Sequence, residues 1–114
     1  MIKKVYVTGI GIISAIGKNV EETFESLRNN KSGIGKLNHI KTRHQKNLSV
    51  GEVPQTDEEL KELCKAFADA IYTRTSLLGM VAAAEALKSA GIFDLQEYKT
   101  GLVSATSVGG MGIA

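Results

Sequence analysis

The sequence predicts an α/β protein, because two short apolar runs of buried-strand composition, at residues 2–8 and 101–106, bracket three segments with helical periodicity. The third of those segments is apolar around most of its circumference, as a helix covered on more than one side must be. Two strands do not finish such a sheet, and little else in the 114 residues could cover that helix. The expectation is therefore a part of a larger layered domain.

Each element has a local signature. The run Val5, Tyr6, Val7, closed by Gly9, reads as the first buried strand, and a glycine-punctuated turn follows it. Asn19 with Glu22 three residues later resembles a capping box. Val20, Thr23, Phe24 and Leu27 then fall at helical spacing, so the first helix is expected over about residues 20–29 and its end near Gly33. Between residues 32 and 55 the helical period disappears among Gly33, Gly35, Gly51 and Pro54, leaving a weak extended signal at Leu48, Val50 and Val53. A long connection is expected there.

Thr56 and Glu59 make a second capping pair, after which Leu60, Leu63, Cys64, Phe67 and Ile71 mark one face of a second helix. The third helix is expected over about residues 76–90, with Glu85 and Lys88 nearly alone as charges and Gly91 as a left-handed cap. The second buried strand then leads into the glycine-rich run Val108, Gly109, Gly110, Met111, Gly112.

Composition narrows the function classes. With 43% hydrophobic and 23% charged residues and one proline, the chain is of ordinary globular type and can bury a core. A net charge of +2, dispersed along the chain, argues for neither nucleic acid nor a membrane surface as partner. The local exception is residues 36–46, which hold Lys36, Lys41, Arg43 and Lys46 with His39 and His44 and no acid. Such a run is ordinarily a solvated loop, and its functional reading is contact with an anion or a carrier protein. Lone Cys64 makes no internal disulfide, so cytoplasm is the expected compartment, and neither a signal peptide nor a membrane anchor is read.

The first glycine cluster, residues 9–17, invites a nucleotide-binding reading because it follows a strand. The phosphate turn needs Gly-x-Gly-x-x-Gly opening directly into a helix, so that backbone amides face the pyrophosphate. Ser14 stands where the third glycine belongs, the helix starts late at Asn19, and no acid ends a second strand about 20 positions on. Cys64 lies among Leu60, Leu63 and Phe67, an apolar setting that disfavours a thiolate, and reads as a core residue. His39 and His44, in the basic loop with no Cys, Asp or Glu beside them, read as solvated side chains.

Val7, Thr8, Gly9, Gly11, Ser14 and Gly17 resemble the opening Val-Thr-Gly-x-Gly-x-x-Ser-Pro-x-Gly of the β-ketoacyl-[acyl-carrier-protein] synthases, with Ala15 in place of the frequent proline. Phe24, Leu27 and the run Lys31, Ser32, Gly33, Ile34 are similar to the next part of that family. The apolar helix ending in Ala90 and Gly91, and residues 104–112, resemble its Ala-rich helix, strand and Gly-Gly-x-Gly loop. The resemblance spans essentially the whole chain, weakly between about residues 38 and 71, and rests on the order and spacing of the motifs together.

That resemblance implies the N-terminal part of a thiolase-like α-β-α-β-α fold, incomplete in residues 1–114. It also implies decarboxylative condensation of an acyl thioester with a malonyl group on acyl carrier protein, in fatty-acid or polyketide assembly. The chemistry uses a cysteine nucleophile at a helix N-terminus and two histidines that promote decarboxylation and stabilise enolate charge. In the family all three lie downstream of the terminal glycine loop, so no residue here is assigned as catalytic, and the chain alone is expected to be inactive. Val108, Gly109 and Gly110 are implied to line the acyl pocket close to a dimer partner, although a tight structural turn explains the glycines equally well. No cofactor or metal is implied, and the implied partners are acyl carrier protein and a second subunit in a homodimer or heterodimer. A non-catalytic partner of the chain-length-factor type shares this fold and is the alternative, with nucleotide binding behind it.

Overall fold

The computed structural model describes residues 2–110, in which three helices and one two-stranded sheet follow in the order α1, β1, β2, α2, α3. Helix α1 spans Val20–Arg28, one residue shorter than expected. Asn19 caps it, its Oδ1 accepting the Glu22 amide at 2.8 Å, and Glu21 and Glu22 in the first turn with Arg28 in the last complement the helix dipole. The expected apolar stripe faces outward: Phe24 is 61% exposed and Leu27 is also exposed, while Thr23 and Ser26 are buried. The small polar face turns inward because the glycine loop crosses it at close range, with Ser26 Oγ donating to the Ile16 carbonyl at 2.6 Å.

The long connection folds back on itself. Strands β1 (Gly35–Lys36) and β2 (Ser49–Val50) pair antiparallel, Gly35 against Val50 and Lys36 against Ser49. Leu37 is buried just beyond β1, and Gln45 Nε2 donates to its carbonyl at 2.8 Å.

Helix α2 (Asp57–Cys64) starts at the capping box that Thr56 and Glu59 predict, and both reciprocal bonds are present. It ends earlier than its apolar stripe implies. Lys65 adopts a left-handed conformation with φ 54°, and the Ala66 amide returns to the Lys61 carbonyl at 2.9 Å. Phe67 and Ile71 consequently lie off the helix and are exposed, and Cys64 is its last residue rather than a mid-helix one.

Helix α3 (Arg74–Ala90) begins two residues before the expected start, capped by Thr73, and closes at Gly91 with φ 71° as the sequence predicts. It packs on α2 through Leu60, Leu77 and Val81, with Ile13, Cys64, Tyr72 and Leu78 against them. Burying each of these three large apolar side chains contributes about 1.5–3 kcal/mol. Arg74 fastens the corner: its Nη1 meets Asp57 Oδ1 at 2.7 Å, and Nη2 donates to the Val53 and Gln55 carbonyls at 2.8 and 2.9 Å.

Neither expected buried strand forms. Residues 2–8 and 101–106 join no sheet, and Val5 is 93% and Val103 99% exposed. A strand exists through its partner's hydrogen bonds, and among the described residues β1 and β2 pair only with each other. For the same reason α3 is less enclosed than its composition predicts, with Leu77 and Val81 alone fully covered. The radius of gyration, 16.5 Å, exceeds the roughly 13 Å of a compact domain of this length. The architecture is a mixed helix and strand arrangement in keeping with part of an α/β protein.

Candidate functional site

The first glycine cluster lies along the backbone of α3. A Cβ built on Gly9 would stand 2.2 Å from the Ala86 carbonyl oxygen, and one on Gly11 would stand 1.8 Å from that of Ala82. Two residues of extended chain advance about 6.6 Å, a little more than the roughly 5.4 Å of one helical turn, so alternate residues meet successive turns of α3 at Ala82, Ala86 and Ala90. Only glycine leaves room for that approach.

Glu85 then ties the loop to α1. Its Oε2 accepts the Ile12 amide at 3.0 Å and its Oε1 accepts the Val20 amide at 2.8 Å. At the end of the same loop Glu22 accepts the Lys18 amide at 3.0 Å, and that bond, the largest influence on it, holds the Glu22 carboxyl below its ordinary value. Ser14 and Gly17 close the turn with a reciprocal backbone pair of 2.8 and 3.4 Å. The amides of Ile12, Lys18 and Val20 are thus already bonded to carboxylates, and more negative charge beside Glu85 and Glu22 would be repelled.

Cys64 is half-buried against the α2–α3 core, its Sγ 3.7 Å from the Lys61 carbonyl. No histidine, Asp or Glu accompanies that thiol among its hydrogen-bond partners. It also closes the C-terminal end of α2, opposite to the end where a helix dipole assists a nucleophile. His39 and His44 are exposed: His39 Nε2 donates to the Pro54 carbonyl at 3.0 Å, and His44 Nε2 accepts from Arg43 Nε at 3.1 Å. The structure does not bring Cys64 and either histidine into hydrogen-bonding contact.

Val108, Gly109 and Gly110 lie in an exposed turn, Gly110 at φ 86°. A Cβ on Gly109 would meet the Thr106 side chain first, at 2.7 Å. Met111 and Gly112, the rest of that run, lie outside the described residues. Open clefts among the described residues include one of about 400 Å³ beside Ile16, Glu22 and Ser26 and one of about 280 Å³ beside Val7, Gly9 and Glu85. Among the described residues no group of three or more His, Cys, Asp or Glu is placed to hold a metal ion, and no helix is long and apolar enough to cross a membrane.

Sequence reasoning missed the site roles of Glu85 and Arg74. A lone acid in an apolar helix was the available signal for Glu85. Arg74 gave none, since its acceptors include two backbone carbonyls that sequence does not single out.

The chain matches the model of a protein family described as Beta-ketoacyl synthase, N-terminal domain, over residues 3–113. No solved structure matches it.

Proposed function

Because the chain belongs to the β-ketoacyl synthase family of condensing transferases, we propose that it supplies the N-terminal scaffold of an enzyme that joins an acyl thioester to malonyl-acyl carrier protein. The match over residues 3–113 carries this reading. The glycine cluster supports it from another side: Gly9 and Gly11 serve close packing on α3, and the amides of Ile12, Lys18 and Val20 are taken by Glu85 and Glu22. That favours a scaffold over a nucleotide site.

In the reaction the malonyl carboxylate leaves as carbon dioxide. The electrons released at its α-carbon attack the enzyme-bound acyl thioester, and the cysteine thiolate departs. By resemblance, that cysteine and the two histidines lie downstream of residues 108–112, outside this segment. Val108, Gly109 and Gly110 are its contribution to the acyl pocket, formed against a second subunit of a dimer. The domain of which residues 1–114 are part has the thiolase-like layered fold, and residues 2–8 and 101–106 are strands of its sheets.

The test is a condensation assay on the protein encoded by the whole reading frame, with acyl- and malonyl-acyl carrier protein. Carbon dioxide release with a 3-oxoacyl product is expected. A protein that forms no product alone but alters the product length of a catalytic partner would belong to the chain-length-factor type instead. Residues 1–114 alone should not take up a labelled acyl group at Cys64, and a thioester there would overturn the assignment of the nucleophile to another segment.

A further inference from the structure

Residues 52–55 are gripped from two sides. Toward the long connection, Glu52 accepts the Asn38 and His39 amides, one at each carboxylate oxygen and both at 2.8 Å, and the Pro54 carbonyl accepts the His39 ring at 3.0 Å. Toward the helices, the Val53 and Gln55 carbonyls accept Arg74 Nη2 at 2.8 and 2.9 Å, while Nη1 meets Asp57 at 2.7 Å. Consecutive carbonyls of this segment thus serve opposite neighbours. Pro54 stands between the two that Arg74 takes, and its ring fixes φ and stiffens the segment.

Among the described residues, the bonds to Glu52 and Pro54 are also those that tie residues 38–47 to the chain beyond their own hairpin. The others are local, such as Gln45 Nε2 to the Leu37 carbonyl and the Asn47 amide to the His44 carbonyl. The β1–β2 ladder at the base of the hairpin joins only Gly35 with Val50 and Lys36 with Ser49, too little to hold it by itself.

We propose that residues 52–55 form a latch through which α3 sets the position of residues 38–47, with Glu52 as its clasp and Arg74 as a positioning residue that acts through the Val53 and Gln55 carbonyls. Charge works in the same direction. Partial desolvation opposes the Glu52 carboxylate, but the His39 and Asn38 amides and the charges of His39 and Arg74 outweigh it and hold the carboxyl below its ordinary value of 4.5. Asp57, the acid next to Arg74, is itself paired with that guanidinium. A carboxyl lowered by folding favours the closed latch fully above its unfolded value, and loses that contribution as pH falls through the lowered one. The device is independent of the reaction proposed above.

The test is amide exchange followed by NMR on the full chain. Glu52→Gln keeps one acceptor oxygen and loses the charge, and should lower the protection of the Asn38 and His39 amides about tenfold. Arg74→Met should lower it about threefold or more, although Arg74 bonds neither amide, and adding it to Glu52→Gln should lower it little further. Arg74→Lys, which keeps the charge without the planar fork, should recover part of the protection. Asp57→Asn leaves both carbonyl bonds to Arg74 in place and should stay within about twofold of the parent. In the parent, protection of the two amides should decline below about pH 4.5, and Glu52→Gln should abolish that step.

Unchanged protection at Asn38 and His39 in Arg74→Met would overturn the proposal. Leu77→Ala loosens the α2–α3 core without touching the bonds of residues 52–55. If it exposed the two amides as much as Arg74→Met does at equal loss of stability, general loosening would explain the effect and the latch would be refuted. Persistence of the acid step in Glu52→Gln would refute the clasp.

Discussion

The molecule has two glycine-rich loops, and they use glycine in opposite ways. Residues 9–17 press against α3, where the helix backbone occupies the space a Cβ would need, and carboxylates on two helices bond the amides of Ile12 within the loop and of Lys18 and Val20 just after it. Residues 108–110 lie in the open, and the first side chain a Cβ on Gly109 would meet is that of Thr106. Sequence composition makes the two alike. What separates them is the surface each one meets, and only the first has that surface among the described residues.

Gly11→Ala should break this contrast most sharply. Its Cβ would collide with the Ala82 carbonyl, which α3 cannot move without disturbing its own hydrogen bonds, and a loss of about 3 kcal/mol is expected. Gly109→Ala meets a side chain that can rotate, so its cost should stay below about 1 kcal/mol. Urea titration of both variants compares them directly. Equal costs would mean that the loop does not lie on α3.

Leu77→Ala tests the support beneath the first loop. Leu77 is fully buried between α2 and α3, and its truncation should cost about 2–3 kcal/mol, toward the lower end for a core leucine because the surrounding cluster is small. Amide exchange near Ile12 should quicken along with that in α3. If only α2 and α3 loosen, the loop has its own means of support.

Glu85→Gln sharpens the comparison further. The glutamine has one acceptor oxygen, so it keeps one of the two bonds to Ile12 and Val20 and loses the charge that strengthened both. A loss of about 1 kcal/mol is expected, read from urea denaturation, with no change in residues 101–110.

These contrasts explain how far the fold was legible. Asn19, Thr56 with Glu59, and Gly91 marked helix ends correctly because a cap is satisfied by neighbours within a few residues. Residues 2–8 and 101–106 have strand composition but join no sheet among the described residues, because a strand is completed by a distant partner that composition does not supply. Phe67 and Ile71 kept helical spacing, yet the left-handed Lys65, which nothing in its residue type announces, ended α2 before them. At the candidate site the motif's glycines were legible, but their job on α3 and the double bond to Glu85 were not, since both join segments more than 60 residues apart.

The smallest expected effect is the dependence of the first loop on pH. Bonding to the Lys18 amide, with Lys18 also 3.4 Å away as an ion pair, holds the Glu22 carboxyl below its ordinary value of 4.5. A carboxyl depressed by folding favours the folded loop fully above its unfolded value, and loses that contribution as pH falls through its lowered folded value. Protection of the Lys18 amide from exchange should therefore hold at neutral pH and decline below about pH 4.5, modestly because Glu22 is half exposed and water screens it. Glu22→Gln should remove that decline by removing the titrating group. Residues 101–110 contain no ionisable side chain and should show no matching step. A step of equal size in both loops would mean that acid loosens the whole chain, and the separate anchoring of residues 9–17 would lose its electrostatic part.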